Sequence, residues 1–316
     1  MFILVWFMLL TYESYNAPIC FIMNMKVIDV FKGNNPWTKI NLNKDEFFIN
    51  DDWLFLSSHN RTVLKKYCSL PEPFSGDPNS IVICLNANPG EADRIYERLF
   101  GLGKYKRLTK ETLEGKAKQS LWYDLKDHSG YCWLRNITKE LRKDLNRNPN
   151  LFMIDYFPYH SPNTFNFPVN LPSYDFTNKL IKAAIDENKI IIILRQKEKW
   201  LKRITQILME DKKKILLNHK QIIFVNSNQN ICLSRKNLGE QNYNKVLLAL
   251  YNSNIHYTFL GLFASFIEQR YGYRHEKSLD IASQFILSKK GGKLVLDEID
   301  KYRKELIRMI DSNEIS

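Results

Sequence analysis

The residues best suited to chemistry in this sequence are amides and aromatic rings that directly follow apolar runs. The run IVICL is followed by NANPGE (86–91), LFMID is followed by YFPYH (156–160), and IIFV is followed by NSNQN (226–230). Amide side chains can orient a water molecule or bind the polar edge of a ligand, and aromatic rings can stack on a flat one. If the fold brings these stretches together, they predict one binding or catalytic site.

The spacing of apolar residues predicts the elements that would hold these stretches. The runs IVICL, LFMID, IIIIL and IIFV are typical of buried strands, and amphipathic patterns typical of helices lie between them. Such alternation predicts a parallel sheet with helices on both faces. We therefore predict an α/β fold, a three-layer α/β/α domain with a four-stranded parallel sheet. In open sheets of this kind ligands bind at the carboxyl ends of the strands, where the polar stretches lie.

The chain is predicted to have three parts. Residues 1–25 begin with MFILVWFMLL, which is too short to span a bilayer. Translation from Met23 or Met25 would make this leader non-native, so we predict a non-native or disordered segment; a short membrane anchor is the alternative. Residues 26–255 are predicted to form the α/β domain. Only helical patterns follow, so 256–316 is predicted to be a helical extension.

The charge of the chain favours a polyanionic partner. Lysine and arginine number 46 against 34 aspartate and glutamate, which gives a net charge of +12. We expect DNA as the partner, no membrane, and a monomeric protein; a base bias of the genome is the alternative origin of this composition. Candidates for contacts with DNA phosphates lie in basic stretches, the first of which also contains aromatic residues: Lys104, Lys106, Arg107, Lys116, Lys118, Arg235 and Lys236.

The cysteines argue against a structural metal. Cys20, Cys68, Cys84, Cys132 and Cys232 include no CxxC pair, and a scattered odd set is typical of a reducing cytoplasm. GxGxxG after a strand, GxxxxGK[ST] and GxSxG are also absent from the sequence. Their absence excludes the common patterns for dinucleotide binding, P-loop phosphate binding and α/β-hydrolase catalysis. We expect a cytoplasmic protein without a metal or cofactor.

The order of these motifs resembles the uracil-DNA glycosylase superfamily. Two branches of that superfamily carry G-[IM]-N-P-G after the first strand, and this chain has NANPG (86–90) there, with Asn86 in place of the leading glycine. The second signature of the family is His-Pro-Ser or Asn-Pro-Ser after the last strand. Here the corresponding stretch is NSN (226–228), without the proline. The resemblance covers roughly residues 78 to 252.

This resemblance implies catalytic roles for three asparagines. Asn88 would hold the water that attacks C1′ of the sugar, and Asn226 or Asn228 would donate a hydrogen bond to the departing base. An asparagine is no strong base, so bond breaking would be largely dissociative and the protein would act by stabilising charge. Glu91, which follows the same turn, could instead cap a helix or help to activate the water.

The resemblance also implies a pocket for a base that is flipped out of the DNA. The uracil-specific branch has a tyrosine at the position of Gly90, and that ring blocks substituents at C5 of a pyrimidine. Glycine removes this block, so a damaged or modified base, including a C5-substituted pyrimidine, becomes a possible substrate. Asp155 could face the site or pair with a lysine. The residues expected to shape the pocket or contact the base are Asn86, Pro89, Gly90, Phe157, Tyr159 and His160.

The function expected from these features is that of a DNA glycosylase, in base excision repair or in antiviral defence against phage DNA. Two alternatives remain open. One is a non-catalytic nucleic-acid-binding module with the same fold. The other is a hydrolase that acts on free nucleosides or nucleotides. At the level of the motif, the NPG sequence could also be no more than a tight turn.

Overall fold

The computed structural model describes residues 25–42, 47–67, 69–162, 166, 168, 170–227, 229, 231–251, 263–264, 266–274, 277–278, 281–282, 284–285 and 299–314. All but one residue of the predicted leader, and the predicted boundary at residue 255, lie outside these residues. Asn228, one of the three predicted catalytic asparagines, also lies outside them.

The described chain alternates between helices and short strands. The strands are β1 Phe74–Gly76, β2 Val82–Asn86, β3 Phe152–Asp155, β4 Ile190–Ile193 and β5 Ile222–Phe224. The helices are α1 Val27–Lys32, α2 Asn50–Phe55, α3 Ser58–Tyr67, α4 Arg94–Phe100, α5 Gly103–Leu113, α6 Ser129–Ile137, α7 Lys139–Leu145, α8 Tyr174–Asp186, α9 Lys197–Leu208, α10 Lys212–Asn218, α11 Arg235–Leu238, α12 Glu240–Tyr251 and α13 Ile299–Asp311. Two 3₁₀ turns cover Pro36–Lys39 and Leu121–Asp124.

The strands form one five-stranded sheet in the order β1-β3-β2-β4-β5. The four predicted strands, β2 to β5, pair in parallel, while β1 is antiparallel to β3 at the edge. The α/β class is confirmed, but the prediction of a purely parallel four-stranded sheet was wrong because it omitted β1. This strand is only FSG, too short to show an alternating pattern, and a side chain at Gly76 would meet the carbonyl of Leu151.

Helices cover both faces of the sheet. Successive strand residues alternate between two buried clusters, as expected when side chains of a strand point to opposite faces. On one face Ile83 and Ile191 pack with side chains of α1, α8 and α9. On the other, Cys84 and Ile192 pack with side chains of α5, α6, α7 and α12. Burial on both faces explains why the parallel strands are nearly continuous apolar runs.

The C-terminal residues form a third buried cluster. Leu248 of α12 packs with Phe263 and Ile267 and with Leu306 of α13. The described residues at 263–264, 266–271 and 299–311 are helical. This cluster includes only one residue of α12 from the α/β domain, so the helical extension adds its own small core beside the sheet.

Candidate functional site

A cavity of about 220 Å³ lies at the carboxyl ends of β2, β3 and β4. This is the place where open α/β sheets bind their ligands. The cavity brings together five residues that the sequence singled out as site residues: Asn86, Asn88, Pro89, Gly90 and His160. The remaining lining residues are Glu72, Ser75, Glu91, Trp122, His128, Ser129, Gly130, Trp133, Met153, Asp155 and Arg195.

The turn after β2 is held by residues that follow β3. Gly90 has a φ of 84°, a left-handed conformation that favours glycine. Its carbonyl accepts a hydrogen bond from the backbone N–H of Ser161 at 2.8 Å. Asn88 Nδ2 donates to Ser161 Oγ at 2.9 Å and to Ser161 O at 3.2 Å. Because a carbonyl oxygen only accepts, the nitrogen of Asn88 must face Ser161, and Oδ1 remains available as an acceptor.

A buried acid and a histidine support the same turn. Glu72 is 4% exposed and His160 is 2% exposed. Glu72 Oε1 accepts a hydrogen bond from the Tyr105 hydroxyl and lies 3.1 Å from His160 Nε2. The other ring nitrogen, Nδ1, lies 3.2 Å from Gly90 O and must carry a proton to donate to it. Glu72 thus holds the ring of His160, and the ring in turn holds the carbonyl of Gly90.

Asn86 and Asp155 place unpaired oxygens at the cavity. The Oδ1 atoms of both side chains are buried and have no hydrogen-bond partner within the described chain. Burial raises the pKa of the Asp155 carboxyl well above its usual range, and the nearby charge of Glu72 adds to this rise. The shift favours the protonated acid, which has one donor and one acceptor to offer a ligand.

His128 presents a buried donor beside an indole ring. Its Nδ1 accepts from the backbone N–H of Gly130 at 3.0 Å, so in the neutral imidazole the proton is on Nε2. Burial lowers the pKa of His128, which favours this neutral form. Nε2 is buried without a partner in the described residues. The imidazole stacks on Trp122 with ring centroids 4.5 Å apart, and the half-buried Trp133 supplies a second indole to the lining.

The start of α6 is tied to the helix that follows the NPG turn. Asp93 caps α4 by accepting from Tyr96 N at 2.9 Å, and its other oxygen accepts from Ser129 N at 2.8 Å. Burial raises the pKa of Asp93 and is the largest single effect. The hydrogen bonds together outweigh burial, so the pKa of the carboxyl lies below its ordinary value. The carboxylate therefore fixes the position of Ser129 and Gly130 on one wall of the cavity.

Phe157 and Tyr159 do not lie at the cavity, contrary to the expectation that they contact a base. Both are fully buried in the cluster on the opposite face of the sheet. The Tyr159 hydroxyl donates to Asp52 at 2.7 Å, and its ring contacts that of Phe157 edge-on. Neither ring can stack on a ligand in the cavity, and the indole rings that line it are those of Trp122 and Trp133.

Asn226 is exposed and does not line the cavity, so its predicted catalytic role is not supported by its position. Its backbone N–H donates to Asn237 O at 2.8 Å, and Nδ2 donates to Lys236 O at 3.3 Å. Asn226 is thus held against α11. Arg195, two residues after the end of β4, contributes the third strand end to the cavity instead.

Several of the predicted DNA-binding cations are already paired within the protein. Arg235 lies 2.7 Å from Glu140, 2.6 Å from Asp144 and 3.2 Å from Glu240. The others with internal contacts are Arg107 with Glu111, Lys116 with Glu114, Lys104 with the carbonyl of Asp124, and Lys106 with the ring of Phe47. Lys118 and Lys236 are exposed. Exposed pairs can exchange partners at little cost, whereas Arg235 is held by three carboxylates, of which Asp144 is the least exposed at 12%.

Most lining residues were absent from the sequence-based set of site residues, among them Glu72, His128, Trp133 and Arg195. Glu72 stands between two prolines just before β1, a strand that was itself missed. His128 and Trp133 lie near the start of α6, where the sequence pattern is that of an ordinary helix and does not indicate a site. Arg195 could have been found from its place immediately after the apolar run of β4.

Comparisons with known protein families, curated proteins and solved structures find no match to this chain. Across the part of the chain that the structure describes, no helix is long and apolar enough to cross a membrane. Within the same residues no group of three or more His, Cys, Asp or Glu side chains is placed to hold a metal ion. An assignment of function therefore rests on the geometry of the cavity.

Proposed function

We propose that this protein is a DNA glycosylase with a uracil-DNA-glycosylase-like fold, and that the cavity holds one base flipped out of DNA. The observation that carries this proposal is the set of unpaired polar atoms in the lining: Oδ1 of Asn86, Oδ1 of Asp155 and Nε2 of His128. Buried polar atoms without partners are costly, so they favour a ligand that supplies complementary donors and acceptors.

The size and walls of the cavity also fit a single base. Its volume of about 220 Å³ is below the roughly 300–1,000 Å³ of sites for drug-sized ligands. Trp122 and Trp133 offer flat aromatic surfaces, and base–aromatic stacking contributes about 1–3 kcal/mol per base. A planar ligand with a polar edge meets both requirements.

In the proposed reaction Asn88 positions the attacking water. Both hydrogen atoms of its amide are directed at Ser161, so Oδ1 can accept a hydrogen bond from a water above the sugar. The bond from C1′ to the base nitrogen breaks and its electron pair stays with the base. The water oxygen then bonds to C1′, and its proton passes to Glu91, the exposed carboxylate that follows the turn. The products are the free base and an abasic sugar.

Asp155 takes the role that the family resemblance gave to Asn226 or Asn228. As a protonated acid it donates a hydrogen bond to the departing base, and this bond strengthens as negative charge develops on the base. The same proton can be transferred to the base when it leaves. A positioned general acid of this kind contributes about 10²–10⁴-fold to a rate.

The substrate we propose is a damaged or modified base, including a C5-substituted pyrimidine. No atom lies within 4 Å of the position that a Cβ on Gly90 would occupy. The turn therefore leaves space where the uracil-specific branch of the family carries a tyrosine. An enzyme with this specificity would act in DNA repair or against modified phage DNA.

Base release tests the proposal directly. The protein is incubated with single- and double-stranded DNA containing uracil, mismatched thymine or bulky C5-modified cytosines, and abasic sites are then cleaved with alkali. We expect strand breaks with at least one substrate, lost in Asn88→Ala and retained in Asn218→Ala, an exposed asparagine at the end of α10. Salt-sensitive DNA binding without strand breaks on any substrate would instead support a binding module.

A hydrolase of free nucleosides or nucleotides is the second candidate. The ion pairs of Arg235, Arg107 and Lys116 favour it, because they reduce the positive surface available to DNA. The two functions differ in their preferred substrate. Equal rates of base release from a free nucleotide and from the same nucleotide within an oligonucleotide would support the second candidate.

A further inference from the structure

A second cavity, of about 160 Å³, lies on the other face of the sheet between the start of α8 and the helix α9. Tyr156, which follows β3, and Tyr174, the first residue of α8, form two of its walls. It shares no lining residue with the candidate active site. Nothing in the proposed glycosylase reaction uses it.

The central residue of this cavity is a buried arginine. Arg203 is only 5% exposed, and its guanidinium carbon lies 3.9 Å from the ring centroids of both Tyr156 and Tyr174. The two ring centroids are only 5.6 Å apart, so the rings meet the guanidinium group from adjacent sides. Its terminal nitrogens Nη1 and Nη2 are buried without a hydrogen-bond partner in the described chain.

A buried arginine with unsatisfied donors requires an acceptor. Leaving a buried charge unpaired is strongly destabilising. The contact with two tyrosine rings recovers part of this cost, but Nη1 and Nη2 remain without a hydrogen-bond partner in the described chain. The arginine is therefore held in one orientation with its hydrogen-bonding edge unused at a cavity.

The surroundings of Arg203 are positively charged. Lys199 and Lys202, on the same helix, also line the cavity, and burial lowers the pKa of Lys199. Asp175 is the one carboxylate among its lining residues. Three cations thus face one acid, so a ligand with more than one negative charge is favoured. Asn178 is half-buried, and its buried Oδ1 has no partner among the described residues and can accept from a protonated oxygen of the ligand.

We propose that this cavity is a binding site for a phosphate group. The planar fork of a guanidinium group matches two oxygens of a phosphate, and lysines add charge without a directional requirement. The phosphate could belong to a free nucleotide or to the backbone of a nucleic acid, since both present the same oxygens. A cavity of this volume accepts the phosphate group, while the rest of a larger ligand would remain outside.

The phosphate site is connected to the candidate active site through one carbonyl. The Tyr156 backbone N–H and Trp200 Nε1 both donate to Asn86 O, at 3.2 and 2.8 Å. The Trp200 ring contacts that of Tyr156 edge-on with centroids 5.1 Å apart. A phosphate bound to Arg203 would therefore be anchored to the strand that carries the NPG turn. The site itself does not depend on the proposed glycosylase activity.

Calorimetric titration of the full chain with inorganic phosphate at constant ionic strength tests the site. We expect the parent to bind phosphate saturably. The affinity should fall at least 10-fold in the double variant Lys199→Gln/Lys202→Gln, in which neither lysine is buried, and binding should be abolished in Arg203→Met. The control Lys213→Gln, an exposed residue on α10, should bind as the parent does. Circular dichroism checks the fold of each variant, and the lysine variant keeps the test valid if Arg203→Met does not fold.

Competition then identifies the source of the phosphate. A short single-stranded oligonucleotide without terminal phosphates that displaces inorganic phosphate would point to a nucleic-acid backbone. Displacement by a nucleoside monophosphate alone would point to a free nucleotide. Absence of binding at millimolar phosphate, or equal binding by the parent and the lysine variant, would overturn the proposal and leave buried water as the partner of Arg203.

Discussion

Asn86 and Asp155 lie directly opposite each other in the parallel register of β2 and β3, and both side chains line the same cavity. An amide and a carboxyl group side by side at the end of a sheet give a ligand edge two acceptors and, when the acid is protonated, a donor. The opposing backbones fix their separation, so this pair requires no flexible loop for its alignment.

Replacing Asp155 with asparagine is expected to raise stability and reduce activity. Because the folded-state pKa is raised, the folded protein keeps a proton that the unfolded chain has already released, so ionisation of Asp155 weakens the fold as pH rises. Asparagine does not ionise. Asp155→Asn should therefore have a larger free energy of unfolding than the parent at neutral and alkaline pH, and the difference should close below about pH 3.9, the ordinary pKa of aspartate.

Urea unfolding at several pH values, with base release measured in parallel, checks this prediction. Base release should fall by about 10²-fold or more, as expected for loss of a general acid. The exposed Asp127 provides the matched control, and Asp127→Asn should change neither quantity appreciably. A loss of stability in Asp155→Asn at neutral pH would show that the carboxylate is paired and not buried as an acid.

Gly130→Ala is expected to disturb the aromatic wall of the cavity. A Cβ on Gly130 would lie 2.7 Å from the indole of Trp122, so the ring must shift. Overpacking of this kind costs about 1–3 kcal/mol, and the displaced indole should also weaken binding of a base. Thermal unfolding and the tryptophan fluorescence spectrum report the two effects. Gly103→Ala is the control, because the added Cβ meets no atom within 4 Å. Its thermal stability should not fall, and its tryptophan fluorescence spectrum should not change.

Arg235 and its neighbour Lys236 should differ in what their removal affects. Arg235 joins α11 to two acids of α7 and to Glu240 of α12, so Arg235→Gln should lower the free energy of unfolding by roughly 1–2 kcal/mol, given its partial exposure. Lys236 is exposed, and Lys236→Gln should leave stability within about 0.5 kcal/mol.

DNA affinity measured against salt concentration completes the comparison of these two residues. If Lys236 contacts a phosphate, its removal reduces the salt slope by about 1. Arg235→Gln should leave that slope unchanged when the variant is folded. A reduced slope for Arg235→Gln would show that the arginine leaves its carboxylates to bind DNA.

Cys84 should be unreactive until the sheet unfolds. Burial within β2 raises the pKa of its thiol to about 12, whereas Cys132 is exposed. The thiolate is the reactive form, so iodoacetamide at neutral pH should modify Cys132 within minutes and Cys84 only in denaturant. Peptide mapping by mass spectrometry distinguishes these sites. Modification of Cys84 at the rate of Cys132 would contradict the placement of β2 at the centre of the sheet.

The strands that carry the site could be predicted because their burial is complete. Ile191 and Ile192 are both buried on opposite faces, and continuous apolar runs of this kind leave little choice of element. The rule that ligands bind at strand ends then located Asn86, Asn88 and His160 at one cavity. These predictions follow from the periodicity of the strands and need no knowledge of distant contacts.

The residues that the sequence misplaced depend on the direction of side chains beyond the strands. Tyr159 and His160 are adjacent in the chain, yet one points into the core and the other lines the cavity. The outward turn of Asn226 depends on its hydrogen bonds to α11, a pairing of loop and helix that no local pattern reveals. Local spacing carries no information on such orientations.

The hydrogen bonds of the NPG turn also determine when, during synthesis of the chain, the turn can be held in its final shape. Gly90 O is held by His160, 70 residues later, and Asn86 O by Trp200, 114 residues later. A chain emerging from the ribosome therefore displays the turn long before its partners exist, and contacts of this sequence separation form slowly. A product truncated before β3 would retain the NPG sequence without His160 and Ser161, which hold the turn in shape.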